Sequence, residues 1–288
     1  MIGSVIGVLF DGLAYGSLLF IIAVGLSVTL GLMNFVNLAH GALAMIGGYV
    51  CVVAMTHLGV PFLATLPIAF VASAVVGIVL ERTLYQRLYK ASPLDQVLFS
   101  IGLVFISIAV ATRIFGSSQQ PVNLPSYLQG QVHILIHDFG VYRIFLIVVV
   151  AVLTLGLQYI LERTRFGSRV RASVDNATAA AGMGINVNRV FALTFALGSG
   201  LAGLGGALGI EVLGLDPNFP LKYMVYFLLV VSVGGTGTIK GPLIAALILG
   251  VFDVAGKYYV PEVGGFVIYA LMVLLLILFP AGLYGRKT

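Results

Sequence analysis

Few side chains in this sequence have the type and spacing that chemistry needs. His133 and His137 stand four apart and could together ligate a metal ion. Asp138 is the only acid beside them, so the pair reads instead as a contact for an external partner. Cys51 is the single cysteine and lies in an apolar run, which leaves no disulfide framework and no cysteine metal site. A phosphate-cradling loop needs two glycines with four residues between them, then Lys and Ser or Thr. The nearest run, Gly250 to Lys257, has five residues between its glycines, and Tyr258 follows the lysine. The chain therefore has no ATP site of its own, and any work it does draws on a partner or an ion gradient. Ion coupling places acids or histidines inside spans, facing the bundle interior. Asp11, Glu211 and Asp253 are the candidates, but each reads as lying near a span end, and no carboxylates are paired. Serine and histidine form no Gly-x-Ser-x-Gly elbow. No residue is expected to be catalytic, no metal or cofactor is expected on this chain, and an enzyme is not expected.

The elements that must hold these residues are apolar. Of 288 residues, 60% are hydrophobic and 9% charged, and the mean hydropathy is +1.12. A soluble domain carries roughly a quarter charged residues, so this surface must face lipid. Apolar stretches at about 8–31, 41–57, 61–80, 94–115, 142–161, 190–213, 223–235, 242–256 and 265–280 approach the roughly 20 residues that cross a bilayer. The chain is expected to be all-α: one polytopic transmembrane bundle over 1–288, with about 8–9 membrane segments, some broken or re-entrant. The 36 glycines fit close helix contact in lipid. A sequence pI near 9.3 does not point to nucleic acid, because the basic residues fall between spans. Arg82, Arg87 and Lys90 occupy one loop, Arg163, Arg165, Arg169, Arg171 and Arg189 another, and Arg286 and Lys287 the tail. These three segments are expected in the cytosol by the positive-inside rule. Loop 116–141 has neither Lys nor Arg and is expected outside; parity then places the N-terminus outside. No basic residue precedes Arg82, so the first span lacks the n-region of a cleaved signal peptide and is expected to be retained.

Two breaks interrupt the apolar pattern. One is Asn34-Phe35-Val36-Asn37-Leu38-Ala39-His40-Gly41; the other is Gly234-Gly235-Thr236-Gly237-Thr238-Ile239-Lys240-Gly241-Pro242. Each opens a helix-like run, and Pro242 suits a first helical position. Interrupted hydrophobic segments in corresponding places of two halves point to a transporter's binding region. Backbone freed at membrane depth must line a cavity or be buried in protein. The residues expected to line a translocation path are Asn34, Asn37, His40 and Gly41 with Gly234, Gly235, Thr236 and Gly237. Helix N-termini after each break could offer unpaired N–H groups to a carboxylate.

The connector 162–189 is far longer than the 2–8 residues usual between bundled helices. It is rich in alanine and arginine and reads as a short helix lying on the cytosolic face. Asp175 or Asn176 suits its start and Gly182 or Gly184 its end. Beyond it, Gly198, Ala202 and Gly206 recur every four residues, a small-residue face for close packing.

The connector also carries a resemblance. Arg171-Ala172-Ser173-Val174-Asp175-Asn176, then Ala179-Ala180-Ala181-Gly182-Met183-Gly184-Ile185-Asn186-Val187-Asn188-Arg189-Val190, then Leu193–Leu197 and Leu201-Ala202-Gly203, resemble the coupling region of Liv-type permeases. These are the membrane subunits of branched-chain amino-acid ABC importers. The run from Gly31 to Gly41 is similar to the family's N-terminal signature, and Gly234-Gly235-Thr236-Gly237 with Gly241 is shared as well. The likeness covers nearly the whole chain in order. It implies that Arg171, Ala172, Asp175, Asn176, Ala180, Gly184, Ile185 and Asn186 dock on a cytosolic ATPase. It further implies a multi-pass protein of the inner membrane, a second related permease subunit and an external solute-binding protein. ATP and Mg would then sit on two partner ATPase subunits. Urea and short-chain amide permeases carry similar signatures and are the alternative within the family. A gradient-driven channel or carrier for a small neutral solute is the competing reading from another class.

Overall fold

The computed structural model describes residues 2–33, 35, 37–89, 91–134, 137–235, 237–280 and 282–284. In chain order the helices begin with α1 (Ile2–Met33), α2 (His40–Leu58) and α3 (Phe62–Leu80). A π-helical turn, Glu81–Tyr85, joins α3 to the short α4 (Gln86–Leu88). Then come α5 (Pro93–Phe115), a 3-10 turn (Ser126–Leu128) and two strands, β1 (Gln131–Ile134) and β2 (His137–Gly140). The second half holds α6 (Val141–Arg163), α7 (Arg165–Asp175), α8 (Ala177–Gly182), α9 (Val187–Leu213), α10 (Phe219–Gly234), α11 (Lys240–Tyr259) and α12 (Gly264–Leu278). Among the described residues, 7 helices are long and apolar enough to cross a membrane, and α10 and α12 are shorter apolar helices. The chain is a polytopic helical membrane protein.

Local signals explain several boundaries. Ser92 caps α5 by accepting from the Asp95 N–H at 3.2 Å, with Pro93 in the first turn. α10 begins at Phe219, earlier than the apolar pattern suggests, because Pro220 sits in its first turn. α6 runs on to Arg163, so the basic connector starts inside a helix. That connector then folds as two helices, α7 and α8, rather than one. Short antiparallel pairing of Gln131 with Gly140 through Ile134 with His137 adds a hairpin to the outer loop, which the sequence reading did not anticipate.

Helix α9 is the centre of the bundle, packed on α1, α2 and α3 together. Its glycines face different neighbours, and small residues let each pair of backbones come close. A Cβ at Gly198 would lie 2.8 Å from the Gly25 carbonyl of α1, and one at Gly200 would lie 2.7 Å from the Phe70 ring of α3. At Gly206 it would overlap the Ala44 backbone of α2. A second seam joins α1 to α11, where a Cβ at Gly250 would stand 2.5 Å from Gly16 Cα. α5 and α6 lie outside this core and expose Phe105, Ile106, Val152 and Leu155.

The two ends are distinguished by their contacts. Near the start of α1, Phe10 packs edge-on against Phe139 of β2 at 4.6 Å, and Asp11 pairs with Arg143. At its other end, Ser27 donates to the Thr238 carbonyl beside the basic connector. The start of α1 and the hairpin thus share one end of the bundle, and the second break and the basic connector share the other.

This packing predicts a contrast. Gly206→Val should lower stability by about 1–3 kcal/mol through overpacking, whereas Gly156→Ala, with nothing within 4 Å of the added carbon, should leave it unchanged or raise it by up to about 1 kcal/mol. Thermal unfolding of the detergent-solubilised protein measures both, and equal midpoints would contradict the assigned core.

Candidate translocation and coupling site

The first break is held in place by side chains the chain itself supplies. Asn37 Oδ1 accepts from the Tyr85 hydroxyl at 2.8 Å and from the Ala39 N–H at 3.1 Å. Its Nδ2 is buried with no partner among the described residues. His40 Nε2 lies 2.8 Å from the Ile22 carbonyl. A carbonyl only accepts, so Nε2 carries the proton. Ile22 stands eleven residues before Met33, the end of α1, or about 16 Å back along the helix. The His40 contact places the start of α2 beside α1 at that level. Gly41 then meets α10, where an added Cβ would lie 3.1 Å from Pro220 Cα. Asn34 lies outside the described residues.

Tyr85 was invisible as a site residue in the sequence. It projects from the π-helical turn that ends α3, a rare turn often found where function sits. Glu81, in the same turn, is fully buried. Its carboxylate accepts from the Tyr89 hydroxyl at 2.6 Å and from Gln86 Nε2 at 3.2 and 3.3 Å. Phe35 stands edge-on to Tyr85 and Tyr89, at 5.0 and 6.2 Å. Tyr89 in turn meets Phe191, and Tyr85 meets Phe195, both in the first turns of α9. The first break is thus anchored to both α3 and α9.

The second break lies beside a different part of α1. Gly237 N–H donates to the Ser27 carbonyl at 3.3 Å, and Ser27 Oγ donates to the Thr238 carbonyl at 3.3 Å. Gly234 and Gly235 are buried, and a Cβ on Gly234 would lie within 2.6 Å of Gly241 and Pro242 backbone atoms. Gly235 and Gly237 have φ of 87° and 77°, which glycine adopts without strain. Thr236 lies outside the described residues. The two breaks do not meet face to face. They attach to one helix, α1, at Ile22 and at Ser27.

The connector faces the second break across a cavity. Asn176 caps α8 through the Ala179 N–H at 2.9 Å, Gly184 turns left-handed at φ 81°, and Asn186 caps α9 through the Arg189 N–H at 3.0 Å. Ala180 is buried, whereas Ala177, Ala179, Ala181 and Gly182 are exposed and Met183 is 70% exposed. α7 folds back on α6: Arg171 donates to the Leu161 carbonyl, and Gly167 fits against Leu161, where a Cβ would overlap backbone. Ala172 is half-buried and Asp175 exposed. A cavity of about 290 Å³ lies between this corner and the break, lined among others by Val170, Arg171, Thr238 and Lys240. Of the small residues on α9, Gly198 faces α1, Gly206 faces α2 and Ala202 is fully buried.

The other candidates have different settings. His133 Nδ1 lies 2.7 Å from Asp138 Oδ1 across the hairpin, and no cluster of three potential metal ligands occurs among the described residues. Asp253 is 1% exposed within α11, deeper than its place in the sequence suggests. One oxygen takes Lys257 Nζ at 2.6 Å; the other has no partner among the described residues. A larger cavity of about 520 Å³ between α2, α3 and α5 is walled by Leu43, Ile46, Ile68, Leu103 and other apolar side chains. Burying a zwitterion there without partners for both charges would be prohibitive, so it is poorly suited to a free amino acid.

The family described as the permease component of the branched-chain amino acid transport system matches residues 8–276. The high-affinity branched-chain amino acid transport system permease protein BraD of Pseudomonas aeruginosa is 29% identical over 291 residues, 96% of this chain and 95% of BraD. LivH of Escherichia coli K12, a high-affinity permease protein of the same kind, is 29% identical over 295 residues, 96% of this chain and 94% of LivH. A probable LivH from Methanocaldococcus jannaschii is 28% identical, covering 96% of this chain and 92% of its own length. No solved structure matches.

The geometry of the first break predicts that Tyr85→Phe costs about 1 kcal/mol, the net worth of one hydrogen bond. Thermal unfolding in detergent measures it. A loss indistinguishable from zero would mean that the Asn37–Tyr85 bond does not hold the break.

Proposed function

Because this chain belongs to the family of permease components of branched-chain amino acid transport systems, we propose that it is a transmembrane subunit of an ATP-driven importer of branched-chain and other hydrophobic amino acids. The inner, or cytoplasmic, membrane is its place. A second, related permease subunit pairs with it, two cytosolic ATPases hold ATP and Mg, and an external solute-binding protein delivers substrate to the outer loops. The observation that carries this reading is the exposed connector seated against a helix break. α8 offers a cytosolic face with Met183 uncovered, while α7, joined to it at Asn176, lies across the small cavity from Thr238 and Lys240.

In this reading Arg171, Ala172, Asp175, Asn176, Ala180, Gly184, Ile185 and Asn186 form or support the docking surface. Movement of the docked ATPases displaces α7 and α8, and α9 carries part of that movement into the core. The path follows the inner half of α1, between Asn37 and His40 on one side and Gly234, Gly235 and Gly237 on the other. In this reading the engagement of Asn37 with Tyr85 and of His40 with Ile22 is the closed state of the path. Opening would free the amide and imidazole groups for the charged ends of an amino acid, with apolar walls for its side chain.

Uptake of labelled leucine into proteoliposomes tests the reading. The complete complex should transport only with ATP and the binding protein; uptake by this chain alone, without ATP, would defeat it. The docking surface is tested separately by replacing Ala179 and Met183, both exposed, with glutamate. Capture of the ATPase subunits should fall at least tenfold, about 1.4 kcal/mol, with the unfolding midpoint unchanged. Undiminished capture would place docking elsewhere.

A further inference from the structure

The segment that follows α12 does more than end the bundle. A helix leaves its last carbonyls without intrahelical partners, and those of α10 sit beside the second break. Leu283 N–H donates to the Val233 carbonyl at 2.7 Å, and Tyr284 N–H donates to the Gly234 carbonyl at 3.3 Å. Val233 and Gly234 are both buried. The turn that makes this possible runs from Phe279, whose carbonyl accepts from the Gly282 N–H at 2.8 Å. Gly282 has φ 79°, and a Cβ there would stand 2.8 Å from Gly235 N and 3.0 Å from the Ser232 carbonyl. Both the backbone angle and the space exclude a side chain. Tyr284 enters the same cavity of about 290 Å³ that Gly167, Val170 and Arg171 of α7 line from the cytosolic side.

We propose that Gly282–Tyr284 is a strap that positions the α10–α11 break against α7, so that movement of the connector reaches the break directly and not only through α9. The proposal rests on the transport reading given above. The break is then gripped from two sides. α1 holds it through Ser27, which bonds both Gly237 and Thr238. The strap holds the end of α10 and presents Tyr284 to α7. α7 is itself fastened to α6 by Arg171 and by the close fit of Gly167 on Leu161. A shift of this corner would therefore press on Tyr284, pull at α10 through two backbone bonds, and act on the break against the fixed grip of α1. Gly282 and Tyr284 are positioning residues in this scheme; neither needs to touch substrate.

The test uses the complete complex with Gly282→Val, which dislodges the strap, and Tyr284→Ala, which empties its side of the cavity but keeps both backbone bonds. Gly265→Ala on α12, with open space around it, is the control. Leucine moved per ATP hydrolysed should fall at least fivefold for Gly282→Val and at least twofold for Tyr284→Ala, with ATPase capture unchanged. A purely structural cap would lower the unfolding midpoint and leave that ratio alone, and a wild-type ratio in both variants overturns the proposal. Hydrogen exchange provides an arm that needs no transport. The amides of Gly237, Leu283 and Tyr284 should exchange slowly in the wild type, and Gly282→Val should speed exchange in residues 237–241 as well as 282–284. Unaltered exchange in 237–241 also overturns it. If the wild-type complex moves no leucine while exchange behaves as expected, the transport reading fails and the strap stands.

Discussion

The constraint on which this fold depends is that a backbone N–H or C=O inside a bilayer must find its partner within the protein. Unbroken helices meet it automatically. This chain breaks its apolar pattern twice and so creates groups that need partners from elsewhere. α1 provides much of that support. The Ile22 carbonyl receives His40, and Ser27 both donates and accepts at Gly237 and Thr238. The remaining partners are equally specific: Asn37 closes on Ala39, and the carbonyls at the end of α10 are met by Leu283 and Tyr284. Polar contacts from distant elements thus converge on both breaks.

Around those contacts the bundle has two kinds of helix. α9 and α1 are surrounded, and glycine backbones touch each other there. α5 and α6 are peripheral, with broad apolar faces turned outward. Apolar side chains gain nothing by leaving lipid for a neighbour of the same character, so close packing and polar bonds must supply cohesion. The division gives a stiff centre in α1, α2, α3 and α9.

The apolar stretches gave away the helices, because a span needs length and hydropathy and little else. The breaks were equally plain, since asparagine, histidine and clustered glycine have no reason to interrupt a span without local purpose. The caps at Asn176 and Asn186 and the turn at Gly184 follow from side-chain chemistry that acts within three or four residues. What could not be read is what depends on distant partners. Nothing near Tyr85 announces that its hydroxyl meets Asn37 across 48 residues, nor that Glu81 will be buried under Tyr89. Glu81 adjoins a basic loop and looks like one more loop charge until the π-helical turn rotates it inward. That Asp253 is buried likewise follows from the packing of α11 on its neighbours, not from its position in the run. The division of the connector into two helices hinges on Asn176, a residue already singled out as a cap, but the fold of α7 onto α6 rests on Gly167, which offered no signal at all.

The arrangement of α1 has a consequence for how the protein is made. Its close partners, α9 and α11, are encoded far downstream: about 150 residues separate the end of α1 from the start of α9. At roughly 5–20 residues per second of synthesis, α1 waits about 8–30 s before the helix it is built to touch emerges. Throughout that interval its glycine faces are bare and the Ser27 hydroxyl has no Thr238 to meet. α1 enters the bilayer well before these partners and is locked in place late, so biogenesis of this protein is exposed to whatever holds or recognises an unfinished bundle.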